Sequence, residues 1–323
     1  MIYYLVADHP APSWGVGMLY EHVRLLRELG HEACVLHYRM PYRPGWRELE
    51  VPLHYLDEPG FAPVAGDVVV VPEVLASEEV VRRHPWRRVV FVQGSFLVVR
   101  GMGGAVDYAA LGYEAAMAVL PHVARVVGRH FGLPAELVPP FIAPYFFTPG
   151  GPPRERRVLL AVKEGYRLAG IPDEEIAGAL LAREIARRPG WSLTPLVGLA
   201  HREVAELMKA SMFLVNVSSM EAFNTTVPEA MAAGCVPVCY EAVGGRDFLR
   251  DGENAVVLTN HEVYALVERV CELMDRLAEQ EAFLERLREG GKSMAASFRP
   301  ESTRRALSRF FSTFLAAGPP SSI

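Results

Sequence analysis

The chain has 323 residues, which is enough for about two domains with a buried core in each. Half of its residues are hydrophobic and 22% are charged, a composition that excludes an intrinsically disordered chain. With 33 basic and 38 acidic side chains the formal charge is −5, which excludes the strongly basic footprint of a nucleic-acid-binding protein.

Short runs rich in β-branched residues alternate with amphipathic stretches along most of the chain. This alternation predicts βαβ units on parallel sheets and therefore an α/β fold. The runs are continuously apolar, as expected for strands that are covered on both faces. The predicted strands span residues 2–7, 33–36, 68–71, 89–92, 158–162, 193–197, 213–217 and 236–239. The predicted helices span residues 19–29, 173–188, 203–209, 262–277, 279–294 and 301–315.

The domain organisation is indicated by proline and glycine, which are dense over residues 139–153. We predict a linker at 144–157, an N-terminal Rossmann-like domain at 1–143 and a C-terminal Rossmann-like domain at 158–299. The two domains are expected to face each other across a cleft. The last segment, 300–323, is predicted to form a helix that packs back on the N-terminal domain, followed by a frayed tail.

The segment after the first predicted strand carries His9, Gly15 and Gly17 ahead of a predicted helix. Glycines there would let the backbone approach a ligand at a helix N-terminus, where unpaired amides favour anions. A dinucleotide-binding fingerprint requires a third glycine, and Tyr20 takes that place. Two interpretations stay open: a loop that contacts substrate, or a plain flexible loop with an ordinary histidine.

The cysteines and the apolar runs bear on the compartment. Cys34, Cys235, Cys239 and Cys271 show neither metal-ligand pairing nor the density of a disulfide framework, which predicts a reduced, cytoplasmic setting. No apolar stretch approaches the ~18 residues of a membrane span, and the best candidate, 115–127, is interrupted by polar residues and proline. We therefore expect no transmembrane segment, while peripheral attachment to a membrane stays open.

The most informative segment is 213–240, where a predicted strand leads through a polar loop into a predicted helix. Pro228 suits the first helical turn, Thr226 is assigned as the N-cap, and Gly234 is the expected C-terminal stop. The sequence therefore predicts a strand, loop and helix in succession here.

Two glutamates in this segment are the candidate ligand-binding side chains, Glu221 in the loop and Glu229 in the first helical turn. The amides of residues 224–227 suit the phosphates of a nucleoside diphosphate, and a carboxylate can accept hydrogen bonds from a ribose diol. A second carboxylate could accept from the hydroxyls of a sugar. Each glutamate also has a plain explanation, since Glu229 would complement the helix dipole and Glu221 would be a solvated loop charge.

In context, residues 221–238, EAFNTTVPEAMAAGCVPV, resemble the retaining GT-B glycosyltransferases of the GT4 type, the glycosyl transferases group 1. The E-x7-E motif of that family reads roughly E-G-F-G-x-x-x-x-E-A-M-A-x-G-x-P-V. The resemblance covers residues 155–275 and is generic over the N-terminal half. It implies a GT-B fold with C-terminal helices and transfer of a sugar from a nucleotide sugar to an acceptor hydroxyl, with retention at the anomeric carbon.

The resemblance also implies residue roles. Glu229 would bind the ribose hydroxyls of the nucleotide sugar. Glu221 would be a catalytic residue that binds the hydroxyls of the transferred sugar. Lys163 and Arg167, after the strand at 158–162, would neutralise the diphosphate leaving group as catalytic cations, with exposed post-strand charges as the alternative. Further contacts to the nucleotide sugar are assigned to Gly198, Phe223, Asn224, Thr225 and Thr226.

Three features depart from the family pattern. The two family glycines that flank phenylalanine are Ala222 and Asn224 here; asparagine tolerates positive φ, so the turn is expected to survive, while Ala222 would narrow the sugar pocket. The cation pair has a spacing of four residues rather than five. The family histidine after the strand at 89–92 is replaced by Gln93, which joins His9, Gly15 and Gly17 as a substrate-contact candidate.

The expected chemistry requires no cofactor. The sequence has no Asp-x-Asp metal motif, and a helix N-terminus with two cations can supply the charge stabilisation that a divalent ion would provide. The acceptor is an unknown glycan, lipid-linked or small molecule, and an oligomer stays open. Two alternative functions remain: a non-catalytic nucleotide-sugar-binding protein, and a nucleotide-sugar isomerase on the same fold.

Overall fold

A computed structural model gives the fold, and every structural statement below concerns the residues that it describes. Those are residues 1–10, 13–45, 50–148, 154–162 and 172–318. The chain forms two compact units, the first of Met1–Pro140 with Glu301–Ile323 and the second of Phe141–Pro300.

The first unit is built on a parallel sheet of seven strands. Its strands are β1 (Ile2–Leu5), β2 (Ala33–His37), β3 (Leu53–Tyr55), β4 (Val68–Pro72), β5 (Arg87–Val92), β6 (Ala115–Ala118) and β7 (Ala135–Leu137). Its helices are α1 (Trp14–Glu28), α2 (Glu79–Arg83), α3 (Val98–Gly101) and α4 (Pro121–His130). The strand order β3-β2-β1-β4-β5-β6-β7 reverses direction at β1, which is the topological switch point of a doubly wound sheet.

The second unit has a parallel sheet of five strands in the order β12-β11-β10-β8-β9. These strands are β8 (Glu155–Ala161), β9 (Ser192–Leu196), β10 (Ser211–Asn216), β11 (Val236–Tyr240) and β12 (Val256–Leu258). Its helices are α5 (Asp173–Ala186), α6 (His201–Ala210), α7 (Thr226–Ala233), α8 (Val263–Asp275) and α9 (Glu281–Ala295).

The last helix, α10 (Pro300–Ala316), belongs to the first unit after its opening proline. Phe311 and Phe314 are buried there. The guanidinium of Arg87, at the start of β5, lies 3.9 Å from the centre of the Phe314 ring and donates to the Phe314 carbonyl at 3.1 Å. None of the helices within the described ranges combines the length and the apolar character that crossing a membrane requires.

The core of the second unit explains its continuously apolar strands. Val158 and Leu160 of β8 pack in one cluster with residues of α5 and α8. The intervening Leu159 is fully buried as well and lies on the opposite face, because successive side chains of a strand alternate. The sheet is therefore covered on both faces, as the sequence predicts.

The α/β fold is confirmed, and all eight predicted strands are present with small shifts at their ends. Four further strands, β3, β6, β7 and β12, escaped prediction. Three of them lie at sheet edges and have three residues each, too few for a periodic signal. The fourth, β6, reads AAMA and lacks the β-branched residues that mark a strand.

The predicted start of the first helix is wrong. The first helix begins at Trp14, with Ser13 as its N-cap, so Gly15 and Gly17 lie in its first turn and not in a flexible loop. The predicted linker at 144–157 contains regular structure at both ends, since Pro144–Phe146 form a 3-10 helix and β8 begins within it. Proline density does not exclude regular structure here, because a tight 3-10 turn accommodates proline.

Arg154, just before β8, ties two helix ends together in the second unit. Its Nη1 donates to the carbonyls of Met208, Lys209 and Ser211 at 3.0, 2.7 and 3.0 Å. Its Nη2 donates to the carbonyl of Ala233 at 2.7 Å. These are carbonyls at the C-terminal ends of α6 and α7, which lack partners within their own helices. Arg154 thereby fixes the end of α7 that lies away from Glu229.

Glu73, directly after β4, is a buried carboxylate that holds the loop after β5. Its Oε1 accepts from the amide of Gly94 at 2.7 Å, and its Oε2 accepts from the amide of Gln93 at 3.1 Å. Burial raises the pKa of Glu73 to about 7, although both backbone hydrogen bonds favour the ionised form. The fold thus holds an acid whose pKa lies near neutral pH against the backbone amides of Gln93 and Gly94.

We expect Glu73→Gln to change the pH dependence of stability. Because the folded-state pKa of Glu73 is raised, the wild-type free energy of unfolding should fall between pH 4.5 and about 7, and the neutral variant should lack this loss. The difference in free energy of unfolding should therefore move in favour of the variant by about 3 kcal/mol between acidic and alkaline pH. Denaturant unfolding at pH 4.5 and pH 8 measures this, and a difference that does not change with pH would contradict it.

Candidate functional site

The carboxyl ends of β8 to β12 meet at one edge of the second sheet, because all five strands are parallel. Ligands of open α/β sheets bind outside this edge. The loop after β10 carries Glu221, and the loop after β9 carries Gly198. The topology therefore places both sequence-predicted loops on the same side of the second unit.

The loop at 217–225, here called the Glu221 loop, is closed by a pair of buried asparagines. Asn216 Nδ2 donates to Asn224 Oδ1 at 3.2 Å, and Asn224 Nδ2 donates to Asn216 Oδ1 at 2.9 Å. The amide of Ser218 also donates to Asn216 Oδ1, at 3.0 Å. Both asparagines are less than a tenth exposed. These bonds fix the two ends of the loop to each other.

The turn at Asn224 forms without the positive φ that asparagine tolerates. Among the described residues other than glycine, positive φ occurs only at Ala242 and His261. The turn therefore follows an ordinary backbone path at Asn224. The asparagine acts through its side-chain amide, which pairs with Asn216 and leaves no need for a glycine.

The middle of the Glu221 loop rests on the loop after β11. The amide of Gly244 donates to the carbonyl of Glu221 at 2.9 Å. A Cβ atom built on Gly244 would lie 1.4 Å from the carbonyl oxygen of Ala222. Only glycine permits this approach of two backbones, so Gly244 sets the spacing between the Glu221 loop and the loop after β11.

The side chain of Phe223 is buried in an aromatic cluster of the second unit. Its ring lies 5.9 Å from that of Phe248 and 5.0 Å from that of Phe298, and its exposure is 6%. Any contact of Phe223 with a ligand is therefore limited to its backbone. The rings of Phe223, Phe248 and Phe298 form an aromatic cluster that anchors the loop.

Helix α7 begins at Thr226, two residues before Pro228, and its N-cap residue is Thr225. The assignment of Thr226 as the N-cap is therefore wrong, and Thr225 makes no side-chain capping bond. Pro228 misled the boundary because proline fits anywhere in a first turn, where its missing N–H is not needed. The predicted stop is confirmed, since Gly234 caps the helix at a φ of +73°.

The amides at the start of α7 are only partly available. The amide of Val227 donates to the carbonyl of Asn224 at 3.2 Å, so the expectation of open amides over 224–227 is wrong at Val227. The amides of Asn224, Thr225 and Thr226 have no acceptor among the described residues. These three N–H groups at the helix N-terminus are therefore available to donate hydrogen bonds to an anion.

Glu229 lies in the first turn of α7, as the sequence predicts, and is 6% exposed. Its Oε1 lies 2.8 Å from Nε2 of His201, the first residue of α6. His201 Nδ1 lies 2.6 Å from the hydroxyl of Tyr145. Burial raises the pKa of Glu229, and the hydrogen bond from His201 opposes this by favouring the ionised form. The sequence gives no spacing signal for His201 or Tyr145, because both meet Glu229 only in the folded unit.

Glu221 stands in the Glu221 loop, partly exposed, with its Oε1 3.5 Å from the hydroxyl of Ser218. Gly198 has a φ of +66° in the loop after β9, between Val197 and Leu199, which are 41% and 37% exposed. The predicted cations Lys163 and Arg167 lie outside the described residues.

The remaining candidates lie in the first unit. Gly15 and Gln93 are close together, since a Cβ atom on Gly15 would lie 3.1 Å from Gln93 Oε1. That oxygen is buried and has no hydrogen-bond partner among the described residues. Gly17 is buried within α1, and His9 is an exposed residue whose carbonyl accepts from the hydroxyl of Tyr42.

The chain is similar in sequence and in structure to known proteins. Residues 165–276 match the family model of the glycosyl transferases group 1. The chain is similar to sucrose-phosphate synthase from Thermosynechococcus elongatus, with 14% identity over 98% of this chain and 99% of that one and a TM-score of 0.73. The fold is GT-B. The matched segment lies in the second unit, and the fold of the chain is the one that GT-B glycosyltransferases have.

The chain is also similar to two further proteins, one by structure and one by sequence. The HepE protein of Anabaena, solved in complex with UDP-glucose, is 14% identical over 97% of this chain and 99% of that one, with a TM-score of 0.68. An exopolysaccharide phosphotransferase of Streptomyces coelicolor is 26% identical over 184 residues, 45% of this chain. The chain spans about a fifth of the length of that curated relative.

Proposed function

We propose that this GT-B protein moves a sugar from a nucleoside-diphosphate sugar to an acceptor hydroxyl, with retention at the anomeric carbon and without a metal ion. One observation carries the proposal. The buried carboxylate of Glu229 lies in the first turn of α7, at the same helix end as three amides that have no acceptor among the described residues. The loop that leads into this helix carries Glu221. A nucleotide sugar has groups of matching chemistry for each of these elements.

The nucleotide is assigned to the start of α7 and the loop after β9. The amides of residues 224–226 would donate to the phosphates, where the helix dipole also favours negative charge. Glu229 would accept from the ribose hydroxyls. The exposed aliphatic side chains beside Gly198 would offer an apolar surface to the base.

The sugar is assigned to Glu221, and the leaving group to Lys163 and Arg167. Both cations follow β8 in the sequence, and β8 pairs in parallel with β10, which precedes the Glu221 loop. When the bond between the anomeric carbon and the phosphate oxygen breaks, the electron pair stays on the diphosphate, and cations there stabilise it. The acceptor oxygen bonds to the anomeric carbon on the same face and passes its proton to the leaving phosphate, so no protein nucleophile is needed.

Contacts to the acceptor are assigned to the first unit, at Gly15 and Gln93. Oε1 of Gln93 has no hydrogen-bond partner among the described residues, and a turn of this half-buried side chain toward the substrate would let it accept from an acceptor hydroxyl.

Two other functions fit the same fold, a nucleotide-sugar-binding protein without turnover and a nucleotide-sugar isomerase. Incubation with a nucleotide sugar alone distinguishes them. Slow release of free sugar supports the transferase, an altered sugar on the nucleotide supports the isomerase, and tight binding without turnover supports the binding protein.

We expect Glu229→Ala to weaken nucleoside diphosphate binding by about 1.5–3 kcal/mol, the scale of hydrogen bonds to a charged group. The expected loss in affinity is about tenfold or more. Isothermal titration calorimetry measures it, with Glu268→Ala as the control, because Glu268 is exposed on α8. An unchanged dissociation constant in a folded Glu229→Ala protein would remove the ribose role.

The rate of sugar release is expected to stay unchanged in an excess of EDTA, because cationic side chains and helix amides of the protein would stabilise the charge of the diphosphate. The rate of sugar release with and without the chelator measures this. Loss of the rate and its recovery on adding magnesium or manganese would contradict metal independence.

A further inference from the structure

Three side chains of the second unit form one hydrogen-bonded row that ends on Glu229. The Tyr145 hydroxyl lies 2.6 Å from His201 Nδ1, and His201 Nε2 lies 2.8 Å from Glu229 Oε1. The His201 side chain is 52% exposed, while that of Glu229 is 8% exposed. The row therefore runs from the surface of the unit to a buried carboxylate.

The chemistry of the two ends fixes the tautomer of the imidazole. An ionised Glu229 can only accept, so His201 Nε2 carries the hydrogen and donates it. In a neutral ring Nδ1 then accepts, and the Tyr145 hydroxyl is its donor. The ring is also packed, with its centre 5.0 Å from that of Phe146, so its orientation is set on more than one side.

This arrangement divides the carboxylate of Glu229 into two unequal oxygens. Oε1 is engaged by His201, and Oε2 has no hydrogen-bond partner among the described residues. A carboxylate that is held at one oxygen presents the other in a fixed direction. Catalytic and metal-binding side chains are oriented in the same way by a hydrogen bond to a neighbouring residue. Without that bond, a buried carboxylate would be free to rotate or to take up a proton.

We propose that His201, oriented by Tyr145, is a positioning residue that fixes Glu229 so that the site distinguishes ribose from 2′-deoxyribose. The inference rests on the proposed function, in which Glu229 meets the ribose. A fixed and buried carboxylate oxygen that loses the 2′-hydroxyl is left unpaired, and such sites reject the ligand that lacks the hydroxyl. A carboxylate that can turn away or become neutral tolerates the deoxy ligand better.

The test uses the nucleoside diphosphate among UDP, GDP, ADP and CDP that gives the largest thermal shift, together with its 2′-deoxy form. Calorimetry on the full chain gives the dissociation constants of both for wild type, His201→Ala, His201→Gln and Tyr145→Phe. The wild type is expected to prefer the ribose form by about tenfold or more. His201→Ala should bring the ratio of the two constants close to one. His201→Gln should keep most of it, since a glutamine amide can also donate to Glu229.

Tyr145→Phe should give an intermediate ratio, because it frees the tautomer of the ring but leaves the ring in place. His130→Ala, which changes an exposed histidine of the first unit, is the control and should match the wild type. If His201→Ala does not fold, the glutamine and phenylalanine variants decide the outcome by the same ratio.

The proposal is overturned if His201→Ala weakens both ligands equally and keeps the ratio, which would give His201 a structural role only. It is also overturned if His201→Gln loses the ratio as fully as His201→Ala. Absence of binding by all four ribose forms would overturn this inference, and it would overturn the proposed function as well if no nucleotide sugar, TDP-sugars included, stabilises the protein. Normal binding with an unaltered ratio overturns the inference alone.

Discussion

Replacing Glu221 by glutamine is expected to lower the rate of sugar release from the bound nucleotide sugar by about 10²–10³, the scale for losing one preorganised charge-stabilising group. Glutamine keeps the size of the side chain, and the bond from the Gly244 amide to the backbone carbonyl of residue 221 remains. The negative charge is lost, however, and with it the strongest hydrogen bonds to the sugar hydroxyls and the attraction for positive character near the anomeric carbon.

The affinity of Glu221→Gln for the plain nucleoside diphosphate should stay almost unchanged, because Glu221 lies in the loop ahead of the α7 amides and of Glu229. Calorimetry with the nucleoside diphosphate and with the nucleotide sugar separates the two effects. An equal loss of affinity for both ligands would mean that Glu221 acts on the nucleotide or on loop folding, and the sugar role would fall.

Gly244→Ala is expected to lower the same rate by about 10²-fold or more, although residue 244 makes no assigned contact with the nucleotide sugar. The new methyl group would lie 1.4 Å from the Ala222 carbonyl oxygen, so the loops after β10 and β11 must move apart. A displacement of about 1 Å at a reacting group is sufficient for a loss of this size.

Gly66→Ala is the matched control, because a Cβ atom at Gly66 would have no neighbour within 4 Å. It should leave the rate of sugar release and the thermal unfolding temperature near their wild-type values. A Gly244→Ala protein that folds and releases sugar at the wild-type rate would show that the spacing of the loops after β10 and β11 does not affect catalysis.

The strand, loop and helix around Glu221 could be predicted because each boundary has a local cause. A buried β-branched run forms β10, and Gly234 supplies the left-handed residue that ends α7. The first residue of α7 was misplaced because proline is tolerated over the whole first turn, so it marks a region and not a position.

The partners of the site side chains could not be predicted, since they depend on contacts between distant parts of the chain. His201 is separated from Glu229 by a strand and a loop, and Tyr145 lies in a 3-10 helix before β8. The pairing of Asn216 with Asn224 is a similar case: the sequence pointed to backbone conformation at Asn224, and the fold uses its side chain.

The most direct test of nucleotide-sugar binding at Glu229 is a thermal-shift screen of UDP-, GDP-, ADP- and TDP-sugars against wild type and Glu229→Ala. A ligand at a hundred times its dissociation constant should stabilise the wild type by about 2.7 kcal/mol. We expect at least one nucleotide sugar to raise the unfolding temperature of the wild type and to raise that of Glu229→Ala clearly less. Equal stabilisation of both proteins, or no stabilisation by any of these sugars, would contradict the account.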